Sequence, residues 1–315
     1  MNTENSNLSR RVFLKTTAVG TAGIMAGRAV SFGTEEKKED KKIPIGVQLY
    51  SLRGLGGAGR GGTRGFGGGG GMEVPVAFEG IKKLGYDGVE FAGYYGYDNR
   101  AEDMRKLLDD NGLKACGFHL QRPVTPDTIL ADQFQPTVDY NKTIGNKYLI
   151  FPMLSAQGED GWKKMAEQFN KIAEKLKPLD MYVGYHNHYQ EFAQEFGDVT
   201  VFDTFFGNNS KDIIIQLDIG HCLRGGGDPV EVIKKYPGRA VTVHVKDYGD
   251  TAVKDVVGDG NVKWKEVLQA CKDIGGTKWY IIEEESFQFQ GLEGIEKSIN
   301  GLKKILAEME AAKPA

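Results

Sequence analysis

Between residues 43 and 310 the hydrophobic pattern changes period over and over. A short apolar, β-branched run gives way to a segment with helical spacing, and this happens eight times. The runs Ile43–Tyr50, Gly88–Phe91, Leu113–His119, Tyr148–Pro152, Met181–His186, Ile213–Asp218, Ala240–Lys246 and Trp279–Glu283 read as strands. Residues 74–84, 100–111, 125–144, 159–176, 199–206, 229–236, 262–274 and 291–309 read as the helices that follow them. Trp162, Met165, Phe169, Ile172 and Leu176 mark one apolar helix face, and Gly85 and Gly112 stop two others. The continuous run Ile213-Ile214-Ile215 suits a strand buried on both faces, as parallel strands are. Short connections in a strand–helix repeat make neighbouring strands parallel, and eight such units close into a (β/α)8 barrel of about 250 residues. The rival, an open doubly wound sheet, would carry a glycine-rich phosphate fingerprint after its first strand. Glycines do crowd residues 54–71, but without G-K-[ST] or a regular G-x-G-x-x-G register before a helix. The stretch reads as a long loop at the barrel mouth, either a lid or partner-binding loop or a plain insertion.

Residues 1–31 read as an address. Ser9-Arg10-Arg11-Val12-Phe13-Leu14-Lys15 precedes Thr16–Gly27, a small-residue apolar stretch without acids. A positive region followed by a short apolar region is the order of an export signal, and the stretch is too short and too glycine-rich to span a bilayer. It resembles the twin-arginine signal at all seven positions. That implies export of the folded protein to the periplasm, with cleavage expected near residues 29–33. Residues 32–42 are a charged linker. No later apolar run is long enough to cross a membrane, so no stable insertion is expected after signal removal. The net charge is −3, from 40 Lys+Arg against 43 Asp+Glu. Residues 1–31 hold four basic residues and one acid, so the mature chain stands at −6. Nothing there neutralises phosphates, and nucleic acid is not an expected partner. Cys116, Cys222 and Cys271 are too few and too scattered for a disulfide framework or a thiolate zinc site.

All five histidines fall at strand ends. His119 ends the third strand, His186 and His188 the fifth, His221 follows the sixth, and His244 lies in the seventh. A barrel gathers the C-terminal ends of its strands at one face, where barrel active sites lie. Carboxylates join them: Glu90, Glu191, Asp218, Asp247 and Glu283–Glu285. Imidazole and carboxylate without thiolate suit one divalent ion such as Mn, Zn, Mg or Co. The alternative is a hydrogen-bonded polar site without metal.

Seven stretches carry a resemblance to a known family: residues 46–53 (GVQLYSLR), 85–91 (GYDGVEF), 185–192 (YHNHYQEF), 217–221 (LDIGH), 243–247 (VHVKD), 258–264 (GDGNVKW) and 279–283 (WYIIE). Residues 43–310 are similar to the sugar phosphate isomerase/epimerase superfamily, the xylose isomerase-like TIM barrels. The resemblance implies one divalent ion with ligands from strands five to eight. Asp218, His244 and Glu283 match the last three, and His221 matches a histidine that contacts substrate. The family's usual strand-five glutamate falls on or beside His186, so the fourth ligand is His186 or, reaching back, Glu191. His188, Glu191, His221 and Lys246 are then the expected acid, base and oxyanion groups, with Glu90 and His119 as substrate contacts. A metal polarises a carbonyl and its neighbouring hydroxyl, a base removes the adjacent proton, and an enediolate forms. The implied activity is a sugar isomerase or epimerase; the alternative is a lyase or hydratase of keto-sugars or keto-glycosides, and a non-catalytic sugar-binding protein stands third. The export signal favours an unphosphorylated small sugar as partner, as does the acidic character of Asp250, Glu284 and Glu285 near strands seven and eight. A homo-oligomer is compatible with this reading.

Overall fold

The computed structural model describes residues 42–52, 54–55, 71–120, 125–130, 134–249, 256–286, 288–289 and 291–312. The expected signal, nearly all of the linker, and most of the glycine-rich stretch lie outside these residues.

Eight strands form the barrel: β1 (Ile45–Gln48), β2 (Gly88–Phe91), β3 (Lys114–His119), β4 (Tyr148–Phe151), β5 (Tyr182–His186), β6 (Ile214–Asp218), β7 (Thr242–Val245) and β8 (Trp279–Ile282). They pair in chain order, all parallel, and β8 pairs back to β1 to close the barrel. Asp218 stands opposite His244 across β6 and β7. The pairing of β2 with β3 shifts register between Val89 and Glu90, so that Glu90 faces Gly117 and Cys116 is passed over. Such a bulge re-aims a side chain.

Every expected strand is present, Gly88–Phe91 with its expected bounds and the others trimmed at one or both ends. β1 stops at Gln48 because the chain tightens into a 3-10 turn over Leu49–Ser51, where the Gln48 side chain accepts from the Tyr50 N–H at 3.1 Å. The single helix expected over 125–144 is two, Pro126–Leu130 and Gln135–Thr143, and Pro136 sits in the first turn of the second. Proline lacks the N–H that a continuous helix would need there. The helix expected from 199 begins at Val201, because Val199–Thr200 pairs with Glu195–Phe196 and the Thr200 hydroxyl caps the helix by accepting from the Asp203 N–H at 3.0 Å. The helix Trp264–Ala270 widens into a π turn over Cys271–Gly275. Two short helices were not legible from periodicity: Gln190–Ala193 after β5 and Ile219–Arg224 after β6.

The helices bury their apolar stripes on the outside of the barrel. Phe169 of the helix Gly158–Leu176 meets Phe205 edge-on, with ring centroids 4.9 Å apart. Each such side chain contributes about 1.5–3 kcal/mol by leaving water. A second cluster, Cys116, Trp279 and Ile281, is separate from this core. A Cβ on Gly46 would come within 2.6 Å of the Cys116 Sγ, so glycine in β1 gives the β3 side chain its room. All three cysteines are buried and free. Among the described residues no helix is long and apolar enough to cross a membrane.

Candidate metal centre and the groups around it

Asp218 ends β6 and caps the helix Ile219–Arg224, its Oδ1 accepting from the His221 N–H at 2.6 Å. Asn187 fixes the Asp218 backbone from β5: its Oδ1 accepts from the Asp218 N–H at 3.0 Å and its Nδ2 donates to the Asp218 carbonyl at 3.2 Å. The other carboxylate oxygen, Asp218 Oδ2, is buried and has no hydrogen-bond partner. The same is true of His186 Nδ1 at the end of β5. On β7, His244 turns Nδ1 toward Glu283 Oε2 at 3.1 Å and Asp218 Oδ2 at 3.9 Å. His186, Asp218, His244 and Glu283 each offer one ligand atom, and the four atoms lie within 4.8 Å of one another in a buried cluster.

Two orphaned buried polar atoms would each cost free energy in the absence of a partner. Here they face each other with a second imidazole and a second carboxylate, a hard and borderline N/O donor set that fits a divalent cation. The electrostatics agree. Burial pushes His244 down, but the Glu90 and Glu283 carboxylates more than offset it and hold its pKa up to about 10. Burial raises Glu283, but Lys246 and His244 outweigh that and leave it well below the ordinary carboxylate range. Burial, then the neighbouring imidazoles, depress His186 strongly, so it stays neutral. The resulting site holds carboxylate charge and the lone pair of a neutral His186 ready for a cation.

Lys246, Glu285, His221 and His188 stand around this quartet. Lys246 Nζ is 3.1 Å from His221 Nε2, 3.7 Å from Glu283 Oε2 and 3.9 Å from Asp218 Oδ2, and it pairs with Glu285. His188 is half-buried; its ring centroid lies 5.0 Å from that of His186 and 4.9 Å from that of His221, and none of its ring nitrogens has a hydrogen bond among the described residues. Burial holds His188 and His221 below the ordinary imidazole value. His186, His188 and His221 also form a group with metal-ligand spacing, but the Lys246 ammonium beside His221 already supplies positive charge there.

Four of the residues singled out in the sequence are engaged as follows. Glu191, expected as a base or as a ligand reaching back, has both oxygens engaged: Oε1 accepts from the Tyr185 hydroxyl and Oε2 from the His188 N–H, each at 2.7 Å. It clamps the turn after β5. Glu90 and His119, expected to touch substrate, are both buried beside His244. Glu90 Oε2 accepts from His244 Nε2 at 2.6 Å, and His119 Nε2 is 2.7 Å from Gln216 Oε1. Asp247 belongs to a loop clamp: Oδ2 accepts from the Gly258 N–H and the Trp264 indole, and Oδ1 from the Tyr248 N–H. Three residues that complete the site were missed, Gln48, Gln216 and Asn187. The available signal was an amide at the end of, or inside, an apolar run, as in IGVQ and IIQLD.

A model of the family described as "Xylose isomerase-like TIM barrel" matches residues 78–305. The rhizopine catabolism protein MocC of Rhizobium meliloti is 22% identical over 240 residues, 65% of this chain and 72% of that protein. The inosose dehydratase of Lacticaseibacillus casei is 23% identical over 245 residues, 66% of this chain and 81% of that protein. A crystal structure of a sugar phosphate isomerase/epimerase from Parabacteroides distasonis is 25% identical with a TM-score of 0.66, covering 89% of this chain and 98% of that one. The family match spans more than half of the chain and agrees with the closed parallel barrel, so the protein belongs to the xylose isomerase-like TIM barrel family.

Proposed function

We propose that the protein is a metal-dependent enzyme that removes the proton beside the carbonyl of an uncharged, polyhydroxylated ketone, and that loss of the neighbouring hydroxyl as water is the outcome. The carrying observation is the buried quartet with its two orphaned atoms, set next to the His188 ring and the Lys246–His221 pair. His186, Asp218, His244 and Glu283 hold the ion. When bound, it polarises the carbonyl and an adjacent hydroxyl. His188 takes the proton: it is kept neutral by burial, and its ring is free of hydrogen bonds among the described residues. The C–H electrons form the carbon–carbon double bond, the C–O bond breaks, and the departing hydroxyl takes a proton from the Lys246–His221 pair. Each positioned proton-transfer group of this kind contributes about 10²–10⁴-fold.

Dehydration is favoured over epimerisation by strand five. Epimerisation by proton exchange between two glutamates needs a carboxylate on each substrate face, whereas here the strand-five position is His186 and Glu191 is locked by Tyr185 and His188. The sequence relatives that include inosose dehydratase point the same way. Isomerisation or epimerisation is the second reading, supported by the Parabacteroides distasonis structure. Glu285 beside Lys246 supports an unphosphorylated substrate, and Ser9–Lys15 supports export to the periplasm.

The test incubates Mn²⁺- or Co²⁺-loaded protein with free keto-sugars, a keto-cyclitol and their phosphate esters in deuterated water. We expect an unsaturated product and solvent deuterium at the carbon beside the carbonyl of recovered substrate, from the free ketones. Preference for the esters overturns the substrate class. Turnover that places solvent deuterium in neither substrate nor product, with exchange of the base shown to be fast, overturns proton abstraction.

A further inference from the structure

Glu90 has both carboxylate oxygens engaged inside the barrel. It is fully buried in β2, and every partner it meets is a side chain from another strand. Oε2 accepts from Gln48 Nε2 of β1 at 2.8 Å and from His244 Nε2 of β7 at 2.6 Å, with His119 Nε2 of β3 at 3.2 Å. Oε1 accepts from Gln216 Nε2 of β6 at 2.7 Å. Gln216 is held in turn by Thr242 Oγ1 at 3.1 Å and by His119 at its Oε1. A charge taken so completely out of water persists only when its partners are this well placed.

The backbone makes room for it in two ways. The register shift between Val89 and Glu90 brings Glu90 opposite Gly117, and a Cβ on Gly117 would overlap Glu90 Oε1. Glycine inside a strand and a bulge in a parallel pair both weaken a sheet. Both occur where this carboxylate is seated.

The consequence falls on His244. An ionised carboxylate only accepts, so the Nε2 that meets Glu90 carries a proton. Both Glu90 oxygens are placed as acceptors, Oε2 from the Gln48 amide at 2.8 Å and Oε1 from the Gln216 amide at 2.7 Å. The lone pair of a neutral His244 is then at Nδ1, which already points at Glu283 and Asp218.

We propose that Glu90 is a positioning residue: it fixes the Nε2–H tautomer and ring angle of His244, so that Nδ1 is the ligating nitrogen of the metal centre. This rests on the metal reading above and adds which nitrogen binds and what holds it. Partners that orient a ligating histidine typically change metal affinity by about 10–100-fold when removed. Glu90→Gln keeps shape and volume but replaces one acceptor oxygen by an NH₂ group.

The experiment uses the full chain loaded with Zn²⁺ and labelled with ¹⁵N-histidine, the five histidines being assigned by single His→Gln variants. In parallel, Co²⁺ binding is followed by calorimetry and by its visible absorption. We expect His244 to show a protonated Nε2 and a ligating Nδ1, and Glu90→Gln to weaken Co²⁺ binding by about 10–100-fold with a changed visible spectrum. If the wild-type protein takes up no Co²⁺, the metal reading fails and this proposal falls with it. If the wild-type protein binds one ion but His244 ligates through Nε2, the metal reading stands and the positioning role is overturned. An unchanged affinity and spectrum in a folded Glu90→Gln protein overturns it as well. Should that variant not fold, the wild-type ¹⁵N spectrum decides alone.

Discussion

Lys246 Nζ lies 3.1 Å from the Nε2 of His221, close enough to donate a hydrogen bond to it. An ammonium has protons and no lone pair, so His221 meets it as an acceptor and carries its own proton on Nδ1. Burial disfavours the Lys246 charge, but Asp218, Glu283 and Glu285 more than compensate and raise its pKa, so it is an ammonium at neutral pH. Two proton-bearing groups are thereby joined beside the quartet.

Lys246→Met removes the donor and the charge while keeping much of the stem. We expect kcat to fall roughly 10²–10³-fold with KM changed much less, since the lost group acts on the departing hydroxyl in the transition state. Co²⁺ affinity should hold or tighten, because a positive charge 3.7–3.9 Å from Glu283 and Asp218 has gone. Steady-state kinetics with a metal titration checks this; a variant with wild-type kcat removes Lys246 from the mechanism.

Asp247, just after β7, has its carboxylate taken up by a loop clamp. It is 1% exposed, and its carboxylate takes the Gly258 N–H at 2.7 Å, the Trp264 indole at 2.8 Å and the Tyr248 N–H at 2.8 Å. These bonds tie β7 to the start of the helix Trp264–Ala270 across the loop between them. With the Val262 N–H at 3.3 Å, Asp247→Ala leaves four donors without their acceptor, which costs about 3 kcal/mol. Denaturant unfolding should show that loss, and Co²⁺ should still bind. Loss of metal binding in a folded Asp247→Ala protein would place the residue in the site after all.

The fold was legible because both faces of a parallel strand are buried, so the runs stand out as continuous apolar segments between helical ones. Ile213–Asp218 and Trp279–Glu283 announce β6 and β8 for this reason. The neighbourhood of the site was legible too, since strand ends converge in a barrel. What each carboxylate does there was not. Glu191 and Asp247 are read correctly only once Tyr185, His188 N–H and Trp264 are seen to reach them. Glu90 is aimed by a register shift that leaves no mark in the sequence besides Gly117. The paired helices at 126–143 were lost for a local reason, the proline at 136.

Export rests on Ser9–Lys15. Arg10→Lys with Arg11→Lys keeps the charge but removes the paired guanidinium groups. The double variant should stay in the cytoplasm, folded and able to bind Co²⁺, because the barrel begins after residue 42. Fractionation of cells producing both forms checks it; equal export of the double variant would contradict the signal.

Metal binding should release close to one proton at neutral pH, and the sign follows from His244. In the metal-free protein Glu90 and Glu283 raise its pKa from 6.5 to about 10, against the opposing effect of burial. At pH 7.5 the ring therefore carries protons on both nitrogens, and an ion must displace the one on Nδ1. His186 is already neutral there and Glu283 already ionised, so neither adds to the count. Affinity should rise about tenfold per pH unit up to about pH 10, where the proton no longer competes. Stability carries the same signature. A raised folded-state pKa stabilises the metal-free protein fully below pH 6.5, and that contribution is lost as pH climbs toward 10. The metal-loaded protein, with Nδ1 committed, lacks this loss, so the gap between its Tm and that of the metal-free form should widen from pH 7 to pH 9. Calorimetric titration in two buffers of different ionisation heat counts the protons directly. A count near zero at pH 7.5 would mean that His244 is neutral before the ion arrives, and that the two carboxylates do not share a charged ring between them.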